Sequence, residues 1–128
     1  MIICRTPLRI SLFGGGTDFP DWYSSNNGFV ISGTIDKYSL INVRKLPFMW
    51  NVNFRLRYYK TEEVKNVNQI KHGPYREVIK YLKLEKQKIE IIHTADLPAL
   101  SGLGASSSST VSAIHALSAF KGEYLSKK

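Results

Sequence analysis

The sequence predicts a mixed α+β domain whose sheet is covered by two helices. Three observations predict it. Apolar and polar residues alternate through the first half, the apolar period lengthens to that of a helix after residue 72, and a strand–loop–helix pattern closes the chain.

Taken in order, residues 8–13 place Leu8, Ile10 and Leu12 on one side and Arg9 and Ser11 on the other, as in a strand with one buried face. Gly14, Gly15 and Gly16 follow and predict a loop. Asn27 and Gly28 read as a turn ahead of Phe29, Val30 and Ile31. Gly33 and Thr34 then punctuate before a further run at 38–43. Val52, Phe54, Leu56 and Tyr58 alternate with Asn53, Arg55, Arg57 and Tyr59, the clearest strand signal in the chain. Gly73 and Pro74 start a helix, on which Tyr75, Val78, Ile79 and Leu82 share one face. A short strand at 89–94 leads to a loop at 96–109, rich in Pro, Gly and Ser, and then to a last helix. Ala113, Leu117, Phe120 and Tyr124 recur on that helix beside Val111 and Ile114. Two helices leave a sheet with an exposed face or edge, unless further chain covers it.

A length of 128 residues suits one domain with a real core. The longest apolar runs are a few residues, far below the ~20 that span a bilayer, and no basic-then-apolar leader opens the chain. Cys4 stands alone, which fits a reducing cytoplasm. The net charge of +8 suits anionic partners such as nucleotides, sugar phosphates or nucleic acid, and equally suits solvated faces, since Arg44, Lys45, Arg55, Arg57, Lys80, Lys83, Lys86 and Lys88 form no dense block.

Two segments carry chemistry. Residues 98–109 read Pro-Ala-Leu-Ser-Gly-Leu-Gly-Ala-Ser-Ser-Ser-Ser. Glycines let backbone approach an anion, the helix N-terminus behind them offers free N–H groups, and serine hydroxyls add donors or a neutral Mg²⁺ ligand. This describes a phosphate cradle, though a serine-rich N-cap behind a loop also accounts for it. No Lys follows the glycines, so it is not a Walker A loop. Residues 7–18 read Pro-Leu-Arg-Ile-Ser-Leu-Phe-Gly-Gly-Gly-Thr-Asp. Here the glycines clear space for a ligand, Asp18 can accept from sugar hydroxyls and Arg9 can meet a phosphate. A tight turn capped by Asp18, with Arg9 solvated, is the plainer alternative.

Together the segments resemble the GHMP kinase superfamily, in particular bacterial D-glycero-D-manno-heptose 7-phosphate kinases. Residues 98–108 are similar to that family's second motif and residues 9–18 to its first. The resemblance implies an α+β fold like domain 2 of ribosomal protein S5, with a βαβ crossover of left-handed type. It implies ATP-dependent phosphorylation of a sugar or sugar phosphate, with Mg²⁺ as cofactor. Pro98, Ser101, Gly102, Leu103, Gly104, Ala105, Ser106, Ser107 and Ser108 would bind the ATP phosphates, with Ser106 on Mg²⁺. Gly15, Gly16, Thr17 and Asp18 would line the sugar site, and Arg9 would be the catalytic cation. Two positions depart from the family pattern: Ala105 removes a hydroxyl, and Leu100 replaces a frequent glycine on the way into the loop.

Family members are more than twice as long. Residues 1–128 therefore correspond to the N-terminal ATP-binding domain without its C-terminal partner, where the third motif and the acidic residues lie. Such a piece is expected to be inactive alone and to self-associate. The rival readings are a basic RNA- or anion-binding module without catalysis and an inactive kinase fragment. His72, His93 and His115 are too scattered for a metal cluster, with His93 expected to face the core or a neighbouring strand. Trp50 reads as a half-buried residue after a strand, and Glu62 and Glu63 as surface charges.

Overall fold

The computed structural model describes residues 1–98 and 101–126. Five strands form one mixed sheet: β1 (Ile2–Phe13), β2 (Ile31–Lys45), β3 (Phe54–Arg57), β4 (Thr61–Val64) and β5 (Ile89–Ala95), in the order β1-β2-β5-β3-β4. All neighbours are antiparallel except β3 and β5. The connection between that parallel pair holds β4, a 3-10 turn (Val67–Gln69) and α2 (Gly73–Tyr81), so the crossover element is present. The last helix, α3 (Ala105–Lys121), lies against β1 and β2, and α2 packs on α3.

The α+β class stands, with three helices where the sequence reading had two. The addition is a single turn, α1 (Pro20–Tyr23), preceded by a 3-10 turn (Gly15–Asp18) where a plain loop was expected. Pro20 at the first helical position presets φ for that turn. Ile31 and the run at 38–43 fall in the single strand β2, because Gly33 pairs with Ile10 and the strand continues through it.

One core fills the space between sheet and helices. Ile41, Val43, Phe54, Leu56, Ile89 and Ile91 meet Tyr75, Val78 and Ile79 of α2 and Ala113, Ala116 and Leu117 of α3. The α3 face is small: Ser112 and Ser118 are buried beside those alanines. Small side chains let the helix approach β1 and β2 closely, and Ser112 bonds Thr6 across the gap. Tyr124, expected on this face, lies beyond the helix end and is exposed, because Gly122 in the left-handed conformation stops α3.

Expectation and structure also part along β1. Leu8 is fully buried, but Ile10 and Leu12 are exposed. Pro7 pairs with Tyr38 and Arg9 with Thr34, so β2 carries two extra residues at this point. Beyond the irregularity the β1–β2 hairpin runs on without the core that buries Leu8.

On the far face Glu90 is fully buried among Arg44, Arg55 and Arg57, with Arg55 at 3.2 Å, and Arg55 lies under the Trp50 ring. Alternation along β5 explains this, since Ile89 and Ile91 point to the core and Glu90 between them points away. No helix among the described residues is long and apolar enough to cross a membrane.

Candidate functional site

The glycine–serine segment folds as a loop that feeds directly into α3. The helix starts at Ala105, so the serines expected at the end of a loop form its first turns. Gly102 and Gly104 hold φ of 73° and 71°, left-handed values that a side chain opposes. With Gly104 as N-cap, the N–H groups of Ala105, Ser106 and Ser107 make no hydrogen bond among the described residues, while Ser108 N–H donates to the Gly104 carbonyl at 2.9 Å. Three free amides at the positive end of a helix of 17 residues are donors that an anion could meet.

The hydroxyls divide the labour. Ser108 is buried and donates to the Pro7 carbonyl at 2.9 Å, which ties α3 to β1. Ser107 donates to Gly104 at 3.2 Å, and Ser109 to the Ser106 carbonyl at 2.9 Å. Ser106 is exposed, and its hydroxyl bonds nothing among the described residues. Ser101 is exposed in the loop and Pro98 precedes it, while Leu100 lies outside the described residues.

Arg9 comes to the same place from the other motif. Its amide donates to the Leu103 carbonyl at 3.2 Å, and its side chain runs beside Gly104. The sugar-motif residues sit farther along the hairpin, past the end of β1 and ~13 Å of strand beyond Arg9. Gly14 is the strict glycine there: φ is 87°, and a Cβ would fall 1.8 Å from the Phe29 carbonyl oxygen. Thr17 donates to the Gly14 carbonyl at 2.7 Å and accepts from Phe29 N–H at 3.1 Å, so its hydroxyl pins the turn. Gly15 and Gly16 are exposed, as is Asp18, whose carboxylate bonds nothing among the described residues.

A cavity of about 770 Å³ opens beside the α3 N-terminus. Ala105, Ser106 and Ser109 line one side, and Tyr58, Tyr59, Glu62, Lys71 and His72 line another. The part that Glu62 plays in these walls went unread in the sequence. Glu62 is not a bare surface charge: its carboxylate accepts from the Tyr58 hydroxyl at 2.6 Å and from the amides of Lys71 at 2.6 Å and His72 at 3.1 Å. Burial pushes this carboxyl up, but those three donors outweigh it and hold the group below the usual carboxylate value. Glu63 pairs with Arg55 at 2.9 Å. The signal that could have found Glu62 was the Tyr-x-x-x-Glu spacing over a short hairpin, but β4 has only four residues, two of them glutamate.

His72 and His93, scattered in sequence, converge on this cavity. The His72 ring stacks on Tyr75 at 3.8 Å and meets Tyr58 edge-on at 4.8 Å, while Nδ1 accepts from Tyr75 N–H as the α2 cap. His93 bonds Ser39 on the neighbouring strand at 3.0 Å, the strand-facing placement expected for it. Burial lowers both imidazoles. Burial also pushes the Tyr75 hydroxyl up to about 12.

A parallel β3–β5 pair, a crossover through α2 and a left-handed glycine loop capping α3 define the GHMP kinase N-terminal fold. Residues 70–128 match the family described as GHMP kinases N terminal domain. The match includes the glycine–serine loop, while the Arg9-to-Asp18 motif lies outside the matched residues. No curated protein matches the chain. Among solved structures it is similar to a D-glycero-D-manno-heptose 1-phosphate kinase from Bacteroides thetaiotaomicron, with TM-score 0.77 and 24% identity over 95% of this chain and 42% of that one. The mevalonate kinase of Methanococcus jannaschii gives TM-score 0.72 and 25% identity over 98% and 42%. A mevalonate diphosphate decarboxylase from Legionella pneumophila gives 0.54 and 19% over 98% and 42%. The chain thus spans well under half the length of each, and the fold alone does not choose between kinase and decarboxylase.

Proposed function

We propose that the chain is the ATP-binding part of a cytoplasmic kinase that phosphorylates a sugar or sugar phosphate, a heptose 7-phosphate in the first instance. One observation carries the reading: the α3 N-terminus has three free amides with Arg9 packed against its Gly104 cap, and its Ala105 and Ser106 also line a cavity walled in part by aromatic rings. A volume of about 770 Å³ accommodates a nucleoside. The triphosphate would run from that cavity onto the helix N-terminus, with Gly102 and Gly104 giving the backbone its close approach. Arg9 would hold charge on the transferred phosphoryl group. Asp18 would accept hydroxyls of the sugar, with Gly15, Gly16 and Thr17 shaping its place.

The donor set fits Mg²⁺ only as a nucleotide-borne ion. Ser106 offers one neutral oxygen, and the described residues contain no group of three His, Cys, Asp or Glu side chains suited to a metal. When bound, the ion supplies charge neutralisation between phosphates, and Ser106 would hold one of its positions. Phosphoryl transfer asks for positioning and electrostatics, which these residues supply in part. The reading assigns the proton acceptor and the metal-binding carboxylates to chain beyond residue 128.

The test is calorimetric titration of residues 1–128 with ATP and Mg²⁺, beside a coupled assay for sugar phosphorylation. Saturable ATP binding without turnover is expected. Failure to bind ATP, together with RNA binding that falls steeply with salt, would replace this reading by the basic-module one.

A further inference from the structure

We infer that Glu62 is a positioning residue that builds the nucleoside wall of the cavity; this rests on the nucleotide reading above. Its carboxylate joins three separate pieces of chain. Tyr58 follows β3, Glu62 belongs to β4, and Lys71 and His72 lie on the approach to α2. All four residues line the cavity.

The need for such a clasp follows from the topology. β4 is an edge strand of four residues paired only with β3, so the sheet holds one side of it alone. The approach to α2 has its amides turned toward β4 and no strand of its own to bond them. One ionised carboxylate accepts all three donors, and charged acceptors make the stronger hydrogen bonds. The clasp sets the faces that a flat base would meet. The Tyr58 hydroxyl is pinned, so its ring stands edge-on to both Tyr59 and His72, each at 4.8 Å. His72, held by its amide, then stacks on Tyr75 and caps α2. The wall is therefore fixed before any ligand arrives, which limits the ordering cost of binding.

Position in the cavity separates this role from that of the glycine loop. Among the described residues Glu62 has no hydrogen bond to the loop amides, so its loss should affect the nucleoside and spare the phosphates. Glu62→Ala removes three acceptor interactions. Glu62→Gln keeps one acceptor oxygen, able to serve Tyr58 and His72 together, and gives up the Lys71 amide.

The experiment compares ATP with inorganic tripolyphosphate, which needs the loop and not the wall, by calorimetry well below the melting temperature of each variant. ATP affinity is expected to fall ~10-fold or more in Glu62→Ala and to recover partly in Glu62→Gln, with tripolyphosphate affinity unchanged in both. Equal losses for the two ligands, or no loss of ATP affinity, would overturn the assignment. Failure of the wild-type chain to bind either ligand would instead remove the nucleotide reading beneath it. Tyr58→Phe, which keeps the ring and deletes the clasped hydroxyl, serves if Glu62→Ala does not fold. It should weaken ATP ~3-fold and leave tripolyphosphate alone, and an unchanged ATP affinity would count against the clasp.

Discussion

Arg9 lies across Gly104: a Cβ built on that glycine would stand 2.9 Å from Arg9 Cγ and 3.3 Å from its Nε. The loop and the proposed phosphoryl-binding cation thus occupy one contact, and a side chain at 104 would displace the arginine as well as crowd a phosphate. Gly104→Val should abolish measurable ATP binding. Arg9→Ala in the Gly104→Val background should restore little, because φ of 71° still strains the loop by about 1–2 kcal/mol. Wild-type affinity in Gly104→Val by calorimetry would remove the loop from the site.

The serines should separate under substitution. Ser108→Ala loses a part-buried bond to Pro7 and should lower stability by about 1 kcal/mol in urea unfolding. Ser106→Ala breaks no side-chain bond in the fold, so stability should hold while the Mg²⁺ dependence of ATP binding weakens. The reverse pattern would exchange their roles.

Asp18→Asn keeps size and removes charge at an exposed position. Saturation-transfer NMR with a heptose phosphate should show lost contact, with ATP affinity unchanged. If both ligands weaken together, the substitution has disturbed the hairpin and Asp18 is no sugar ligand.

Acid should destabilise the chain before its carboxylates titrate. Burial holds His72 and His93 below their ordinary 6.5, with Glu62 partly offsetting this at His72. The unfolded chain therefore binds more protons than the folded one between the lowered values and about 6.5. Stability is complete above that window and falls as pH drops through it. The melting temperature should be lower at pH 5 than at pH 7.5, and His93→Gln should flatten the slope. An unchanged slope would mean that His93 titrates as if exposed.

Glu90 tests the far face. Glu90→Ala leaves Arg44, Arg55 and Arg57 facing one another around an emptied, buried position, and should cost about 3 kcal/mol. ATP affinity should hold at temperatures where the variant is folded. A loss under 1 kcal/mol would show that solvent already screens the cluster.

Much of this was legible wherever a local rule governs. Gly73 and Pro74 opened α2 as read, and Val78 and Ile79 face the core as their spacing requires. The glycine–serine segment was legible as a loop feeding a helix, and Gly102 and Gly104 do hold left-handed φ ahead of Ala105. What escaped was set by distant partners. Ile10 and Leu12 alternate like buried residues, yet nothing in their own stretch says that the core ends at Leu8. Glu62 reads as a surface charge until the turn before α2 brings two amides against it. Four-residue β4 carries too short a pattern to register a period.

The strut from Ser108 to Pro7 joins positions 101 residues apart, and Arg9 meets Leu103 beside it. A ribosome releasing this chain therefore emits the Pro7 side of the cradle 101 residues before the Ser108 side. Helix α3 can form early from local bonds, but the groove beside its first turn has no second bank until β1 docks. On the proposed function, nucleotide capture would report that β1 has docked: a polypeptide retaining the entire glycine–serine stretch and α3, but shorn of its first nine residues, should be helical and blind to ATP.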